Sequence, residues 1–193
     1  LGAAVEGASG MPYGKFLRKN IWEPLNMDHT WMDTPETIIP NRASGYRLVF
    51  GKLKNSEYVN ITSRFAAGGT RSTVVDMLRY ARGLNKGRLL SEESIRMMET
   101  SMNTADGRRT DYGMGWHLEP VNGHFQAYHT GGQPETRTML MRFPTSDFAI
   151  ALAYNLEGGS LRTIARRLYQ LITNEGWNVK PYAKNKYDKT LID

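Results

Sequence analysis

The sequence predicts an α+β protein in which an antiparallel sheet is packed with helices. Three observations predict it. Apolar residues recur at helical spacing through much of the first 107 positions. After Gly107 the period shortens to two, and four short segments alternate as strands do. One strongly amphipathic helix then follows the strands, starting at Ser160. On this reading residues 1–107 form a mainly helical part, 108–176 supply the strands and closing helix of the same domain, and 177–193 form a basic irregular tail.

Leu1, Ala4, Val5 and Ala8 repeat at helical spacing and Gly10 supplies a stop, so the chain begins inside a helix. That start predicts a processed or truncated product. A second helix fits Pro12 to Trp22, with Phe16, Leu17 and Ile21 on one face and Pro24 ending it. From Asp28 to Arg64 the pattern breaks into turn signals and short apolar pieces such as Tyr46–Phe50, and loops with at most a short hairpin are expected over that stretch. Ser72 is placed to cap a helix that runs to about Gly83, with Val74, Val75, Leu78 and Ala81 inward. Ser91 caps the next, and Glu92 and Glu93 sit where the positive end of the helix dipole favours carboxylates.

The four strands read as Tyr112–Leu118, Phe125–His129, Arg137–Phe143 and Phe148–Tyr154, the last two joined by a hairpin turn at Pro144–Asp147. Phe148–Tyr154 is apolar on both faces, which predicts a central strand covered on both sides. In the closing helix, Leu161, Ile164, Ala165, Leu168 and Ile172 are expected inward and Arg162, Arg166 and Arg167 outward.

Composition narrows the function classes. With 193 residues, the chain can bury roughly 70% of its unfolded surface and needs no disulfide or metal to be stable. The absence of cysteine removes thiolate metal sites and a cysteine nucleophile. No apolar run approaches the ~18 residues of a membrane span. The charge of +6 is spread along the chain without a basic-aromatic stripe, so nucleic acid is not an expected partner. The four histidines show no metal-ligand spacing, and neither metal nor cofactor is expected. His117 and His124, on neighbouring strands, could approach each other.

His129-Thr130-Gly131-Gly132 combines what a reacting site needs at the end of a strand. Imidazole exchanges a proton near neutral pH. The hydroxyl can bind a carboxylate or relay a proton. The glycines admit a substrate close to the backbone, and their N–H groups can stabilise an oxyanion. The same four residues would also simply end a strand in a Gly-Gly turn.

Taken together with other segments, this run resembles the serine β-lactamase and penicillin-binding-protein superfamily, nearest the class C-type β-lactamase, D-aminopeptidase and esterase branch. Leu1–Gly10 is similar to the helix after the family's Tyr-x-Asn element, and Ile21-Trp-Glu-Pro-Leu-Asn-Met27 with Thr30 and Met32 to its I-x-x-P-L-G-M-x-x-T segment. Ala66-Ala-Gly-Gly-Thr-Arg-Ser-Thr73 with Asp76 resembles A-G-G-L-x-S-T-x-x-D. Tyr112-Gly-Met-Gly-Trp116 resembles the strand before the last catalytic motif, and His129-Thr-Gly131 that motif itself. Met141-Arg-Phe-Pro144 and Asn155 resemble the hairpin and strand end that follow.

The resemblance, over about residues 1–172, implies a β-lactamase-like fold whose N-terminal part is missing here. It also implies a serine hydrolase with acyl-enzyme chemistry on a β-lactam, D-amino-acid peptide or small ester. His129, Thr130, Gly131 and Gly132 become the candidate catalytic residues, with the Gly132 N–H as an oxyanion donor. No serine here has lysine three positions later, so Ser-x-x-Lys would lie upstream of Leu1. Tyr58-Val-Asn60 and Ser101-Met-Asn103 match short family patterns out of order and are read as chance, and Glu135 stands where relatives have glycine and would narrow the site mouth. The resemblance implies a small amide or ester substrate and a partner chain or upstream segment that covers an exposed strand edge. By likeness alone it favours a periplasmic or extracellular setting. The other reading is a non-catalytic binding or scaffolding domain that kept the fold.

Overall fold

In chain order the computed structural model, which describes residues 1–57, 59–134, 136–157 and 160–178, opens with two short helices. These are α1 (Gly2–Ser9) and α2 (Tyr13–Leu17), the latter running on as one π-helical turn at Arg18–Trp22. Short strands β1 (Trp31–Met32), β2 (Tyr46–Val49), β3 (Lys52–Asn55) and β4 (Thr70–Arg71) precede α3 (Val74–Asn85) and α4 (Glu92–Met98). Then come β5 (His117–Leu118), β6 (Ala127–Gln133), β7 (Thr136–Phe143), β8 (Phe148–Tyr154) and α5 (Leu161–Thr173).

The last four strands form one antiparallel sheet in the order β5-β6-β7-β8, a simple meander. One face packs on Ala81, Leu84 and Met98 of α3 and α4, with Trp116, Leu118, Ala127 and Leu140. The other packs on Leu161, Ala165 and Tyr169 of α5, with Met139, Met141, Phe143 and Ile150. The core is thus two layers divided by β7, whose residues from Met139 to Phe143 are all buried. β2 and β3 form the expected hairpin, and its tip Phe50-Gly51 has φ of 49° and 75°, the sense that matches strand twist.

Gly10 ends α1 in the left-handed conformation, with φ 66°. Ser91 caps α4, its Oγ accepting from the Ser94 N–H at 3.2 Å. β8 has the expected bounds, and Asp147, at φ 50°, closes the turn before it.

Several expectations are corrected. Helix α3 is capped by Thr73, whose Oγ1 accepts from the Asp76 N–H at 3.2 Å, while Ser72 instead shares a 2.8 Å hydrogen bond with Thr30. Its buried side is Asp76, Ala81, Gly83 and Leu84, whereas Val74, Val75 and Leu78 are exposed. In α5 Ile164 and Ile172 are exposed and Tyr169 takes the core position, its ring 5.1 Å from that of Phe143. Ala81 in α3 and Leu161 and Ala165 in α5 are buried as expected, with Leu168 packed beside them, and the differences come from Asp76 and Tyr169, which a count of aliphatic residues passes over. Among the described residues Arg162 pairs with Glu119, and Arg166 lies over the Trp177 ring.

Residues 112–116 are an irregular turn, so only His117–Leu118 remains of the first expected strand. β6 runs four residues past His129, so Thr130-Gly131-Gly132 lies within a strand. β8 is covered by α3 and α5 as expected but, among the described residues, lies at the end of the ladder, and β7 is central. A two-sided apolar pattern reports covered faces, not hydrogen-bonding neighbours. Beyond Gly176, Trp177 stands edge-on to Tyr169 with centroids 5.0 Å apart, and Asn178 exchanges hydrogen bonds with Asn122. The rest of the basic tail, 179–193, lies outside the described residues, as do Tyr58 and Glu135.

Candidate active site

The run His129–Gly132 sits on β6 and all four residues are exposed. Its setting follows from strand lengths. β5 pairs only with Ala127 and Tyr128, whereas β7 pairs with β6 from Ala127↔Arg142 to Gln133↔Thr136 without a break. From His129 onward, therefore, one edge of β6 has no partner strand among the described residues. The Glu119 N–H donates to the Gln126 carbonyl at 3.1 Å, which turns the even-numbered residues of this stretch toward β5. Backbone direction alternates along an unbulged strand. Thr130 and Gly132 thus direct N–H and C=O toward the open edge, and His129 and Gly131 direct theirs toward β7.

The two glycines have different grounds. A Cβ on Gly131 would lie 2.3 Å from Thr138 Oγ1, its cross-strand partner, so packing demands glycine there. A Cβ on Gly132 would meet nothing nearer than Arg137 Cδ at 3.6 Å. Packing within this chain leaves room for a side chain at 132, and a bare backbone at an open edge is what an incoming carbonyl needs.

His129 is held by a partner the sequence reading did not single out. Its Nε2 is 3.0 Å from the Tyr112 hydroxyl. His117 lies flat on Tyr128, with centroids 5.0 Å apart and planes at 21°, and its ring is 5.9 Å from that of His129. Burial, then the charge of His129, then that of Arg162 push the His117 proton affinity down. His117 therefore approaches His129; His124 instead pairs by backbone with Val121, in the turn beyond β5. The signal for Tyr112 and His117 was the spacing Tyr-Gly-x-Gly-Trp-His, in which a four-residue turn brings its two flanks face to face.

Neighbouring segments fix the far end of β6. Gln133 Nε2 donates to the Gly68 carbonyl at 2.8 Å, joining the strand to the Gly68-Gly69 bend. Asp76, fully buried, accepts from the His29 N–H at 2.8 Å, Thr30 Oγ1 at 2.9 Å and Arg79 at 2.8 Å, which ties the loop after α2 to the start of α3. Ser101 Oγ accepts from the Asp111 N–H at 3.0 Å and donates to the Met102 carbonyl, the work of a turn serine. Among the described residues, no three His, Asp or Glu converge on a metal-sized position and no helix is long and apolar enough to cross a membrane.

Comparison with known proteins agrees with this architecture. A penicillin-binding protein of Bacillus subtilis (strain 168) is 28% identical over 158 residues, covering 74% of this chain and 35% of its own. The mitochondrial serine beta-lactamase-like protein LACTB of Homo sapiens is 26% identical over 210 residues, 87% of this chain and 38% of its own. Among solved structures, the D-amino acid amidase of Ochrobactrum anthropi SV3 superposes with a TM-score of 0.76 at 26% identity, over 90% of this chain and 55% of that one. The octameric penicillin-binding protein homologue of Pyrococcus abyssi gives 0.77 at 25%, over 91% and 41%. The chain thus spans well under half the length of these curated relatives and about half that of the amidase. The family model described as Beta-lactamase matches residues 1–174, nearly all of the described chain, and on that match the protein belongs to the beta-lactamase family.

Proposed function

We propose that the chain forms one wall of a serine hydrolase site that acts through an acyl-enzyme on a β-lactam, a D-amino-acid amide or peptide, or a small ester. The observation that carries the reading is the exposed His129–Gly132 run at the open edge of β6, with the Gly132 backbone directed outward. An extended substrate can add to that edge by main-chain hydrogen bonds. The Gly132 N–H then serves as one oxyanion donor, Thr130 binds a polar group of the substrate, and His129 handles a proton. Residues 1–107 and 108–176 belong, on this reading, to one domain. The nucleophilic serine and its lysine come from a segment outside the 193 residues, since no serine here has lysine three positions on.

Two surfaces support such a partner segment. The outer edge of β8 has no paired strand among the described residues, and Val74, Val75 and Leu78 present an apolar face at the start of α3. One segment that covers both would complete the sheet and remove a template for aggregation.

The test is hydrolysis of a chromogenic β-lactam, a D-amino-acid anilide and a short-chain aryl ester, by this chain alone and with the segment that precedes it co-expressed. The chain alone should be inert. Loss of a covalent nucleophile costs orders of magnitude, and one oxyanion donor is worth only about 3–4 kcal/mol. With the segment present, His129→Ala should cut turnover strongly at an unchanged melting temperature. A serine-directed acylating probe should label the added segment alone. Turnover by residues 1–193 alone would overturn the reading, and binding of the probe ligands without turnover by the pair would favour a non-catalytic domain.

A further inference from the structure

The turn that precedes β5 is built to present a phenol to an imidazole. Tyr112 and His117 face each other across an antiparallel bridge, and Gly113-Met114-Gly115-Trp116 makes the reversal between them, with the Gly113 N–H donating to the Trp116 carbonyl at 2.8 Å. Both glycines are required. A Cβ on Gly113 would lie 2.2 Å from the Met98 carbonyl, and Gly115 has φ 82°. The Met114 N–H donates to the same Met98 carbonyl at 3.0 Å, and the Met102 N–H to the Tyr112 carbonyl at 2.9 Å, so the turn is anchored on the end of α4. Tyr112 is therefore placed by backbone on both sides. Its ring stands edge-on to His117, with centroids 4.8 Å apart, and its hydroxyl reaches His129 Nε2.

A neutral phenol has one proton to donate, and a neutral imidazole has one nitrogen to accept it. Among the described residues the Tyr112 hydroxyl is bonded to no atom other than His129 Nε2. Donation in the opposite sense would set a phenolic oxygen, a weaker acceptor than an sp2 imidazole nitrogen, against the imidazole N–H and leave the phenolic proton to solvent. We infer that Tyr112 is a positioning residue for His129: its O–H donates to Nε2 and holds the neutral imidazole as the Nδ1–H tautomer, leaving Nδ1–H as the donor available to a substrate. The His117 ring, stacked on Tyr128, is a further neighbour of the His129 ring at 5.9 Å. The inference rests on the proposed site only for its catalytic use; the tautomer itself is a property of the folded chain.

The test is long-range proton–nitrogen correlation NMR on protein labelled with ¹⁵N-histidine, joined to the preceding segment where that is needed for solubility. Spectra are taken at a pH where imidazoles are neutral, and the His129 signals are identified by their loss in His129→Gln. His129 should show the Nδ1–H pattern in the wild type and move toward Nε2–H, the form free imidazole favours in water, in Tyr112→Phe. An Nε2–H pattern in the wild type, or an Nδ1–H pattern unchanged in Tyr112→Phe, would overturn the inference. Should that variant fail to fold, the wild-type pattern decides by itself. The two proposals fail separately. Normal turnover in His129→Ala removes His129 from the site and leaves the tautomer standing, whereas a tautomer indifferent to Tyr112 leaves His129 in the site without its positioning partner.

Discussion

Removing the carboxylate of Glu99 should cost far more stability than removing the guanidinium it neutralises. Arg142, in the middle of the sheet on β7, is fully buried. Its Nη2 donates to Glu99 at 2.7 Å and its Nε to Asn85 at 3.0 Å, and its guanidinium carbon lies 5.0 Å from the Trp116 ring centroid. Burial lowers its proton affinity and Glu99 opposes that, so the ion pair is what keeps the charge tolerable. Glu99 itself retains 15% side-chain exposure and can hydrate when left alone, whereas Arg142 has 0%. Breaking a buried pair from one side costs about 3–5 kcal/mol. The bond from Arg142 Nε to Asn85, which survives the change, puts Glu99→Ala near the low end, about 3 kcal/mol. At about 2–4 °C per kcal/mol for a domain of this size, the melting temperature falls by about 6–12 °C. Arg142→Met keeps the apolar stem against Trp116 and should cost about 1 kcal/mol. The double variant should then be more stable than Glu99→Ala alone, because no charge is left stranded. Urea titrations of the four proteins, followed by tryptophan emission, give the cycle. A Glu99→Ala cost below that of Arg142→Met, or strict additivity in the double variant, would refute this account of the buried charge.

Two further outcomes follow from the site. Gly131→Ala should destabilise by about 1–3 kcal/mol through its clash with Thr138 and be recovered in large part by Thr138→Ala. Gly132→Ala, with its nearest neighbour at 3.6 Å, should fold normally and yet lower turnover in the enzyme proposed above; equal destabilisation by both, measured by thermal melts, would mean that the sheet face over Gly132 is filled by this chain. His117 gives the pH dependence. Its folded proton affinity is depressed, so the unfolded chain binds more protons in the window below the ordinary value of 6.5. Stability should be level above that value and decline as pH falls through the window, more steeply in the wild type than in His117→Gln. Parallel melting curves for the two proteins between about pH 7.5 and about pH 5.5 would remove His117 as the cause.

What was legible in the sequence divides along a physical line. β8 was found with its bounds because seven apolar residues are closed off by a turn residue with positive φ on one side and Asn155 on the other. Ser91 was found as a cap because capping is a local hydrogen bond. His129 was placed on a strand by the period-two pattern before it, but Thr130-Gly131-Gly132 was expected past the strand end and lies inside β6, because pairing with β7 carries the ladder on to Gln133. What was misread depended on neighbours distant in sequence. Val74, Val75 and Leu78 have the spacing of an inward face, but Asp76, held by His29, Thr30 and Arg79, turns that side of α3 elsewhere. Tyr112 and His117 were read as residues of one strand, and a strand places positions five apart on opposite faces. The Gly113–Trp116 reversal brings them together, and its sequence signal is the pair of glycines between Tyr112 and Trp116, the second of which has φ 82°.

The outer edge of β8, which has no paired strand among the described residues, has a consequence for assembly if the proposed segment closes it. Phe148-Ala-Ile-Ala-Leu-Ala-Tyr154 carries no charge, proline or glycine, the composition of segments that stack into fibrils when their edges meet. Whatever strand closes that edge competes with the same strand of a second copy. A closing strand on the same polypeptide is present at an effective concentration of about millimolar, against copies in solution at far lower levels. Covalent continuity then decides the race in favour of closure, with no change in any contact. Cut the tether, and the same strand meets the same edge at bulk concentration, where self-association can overtake it.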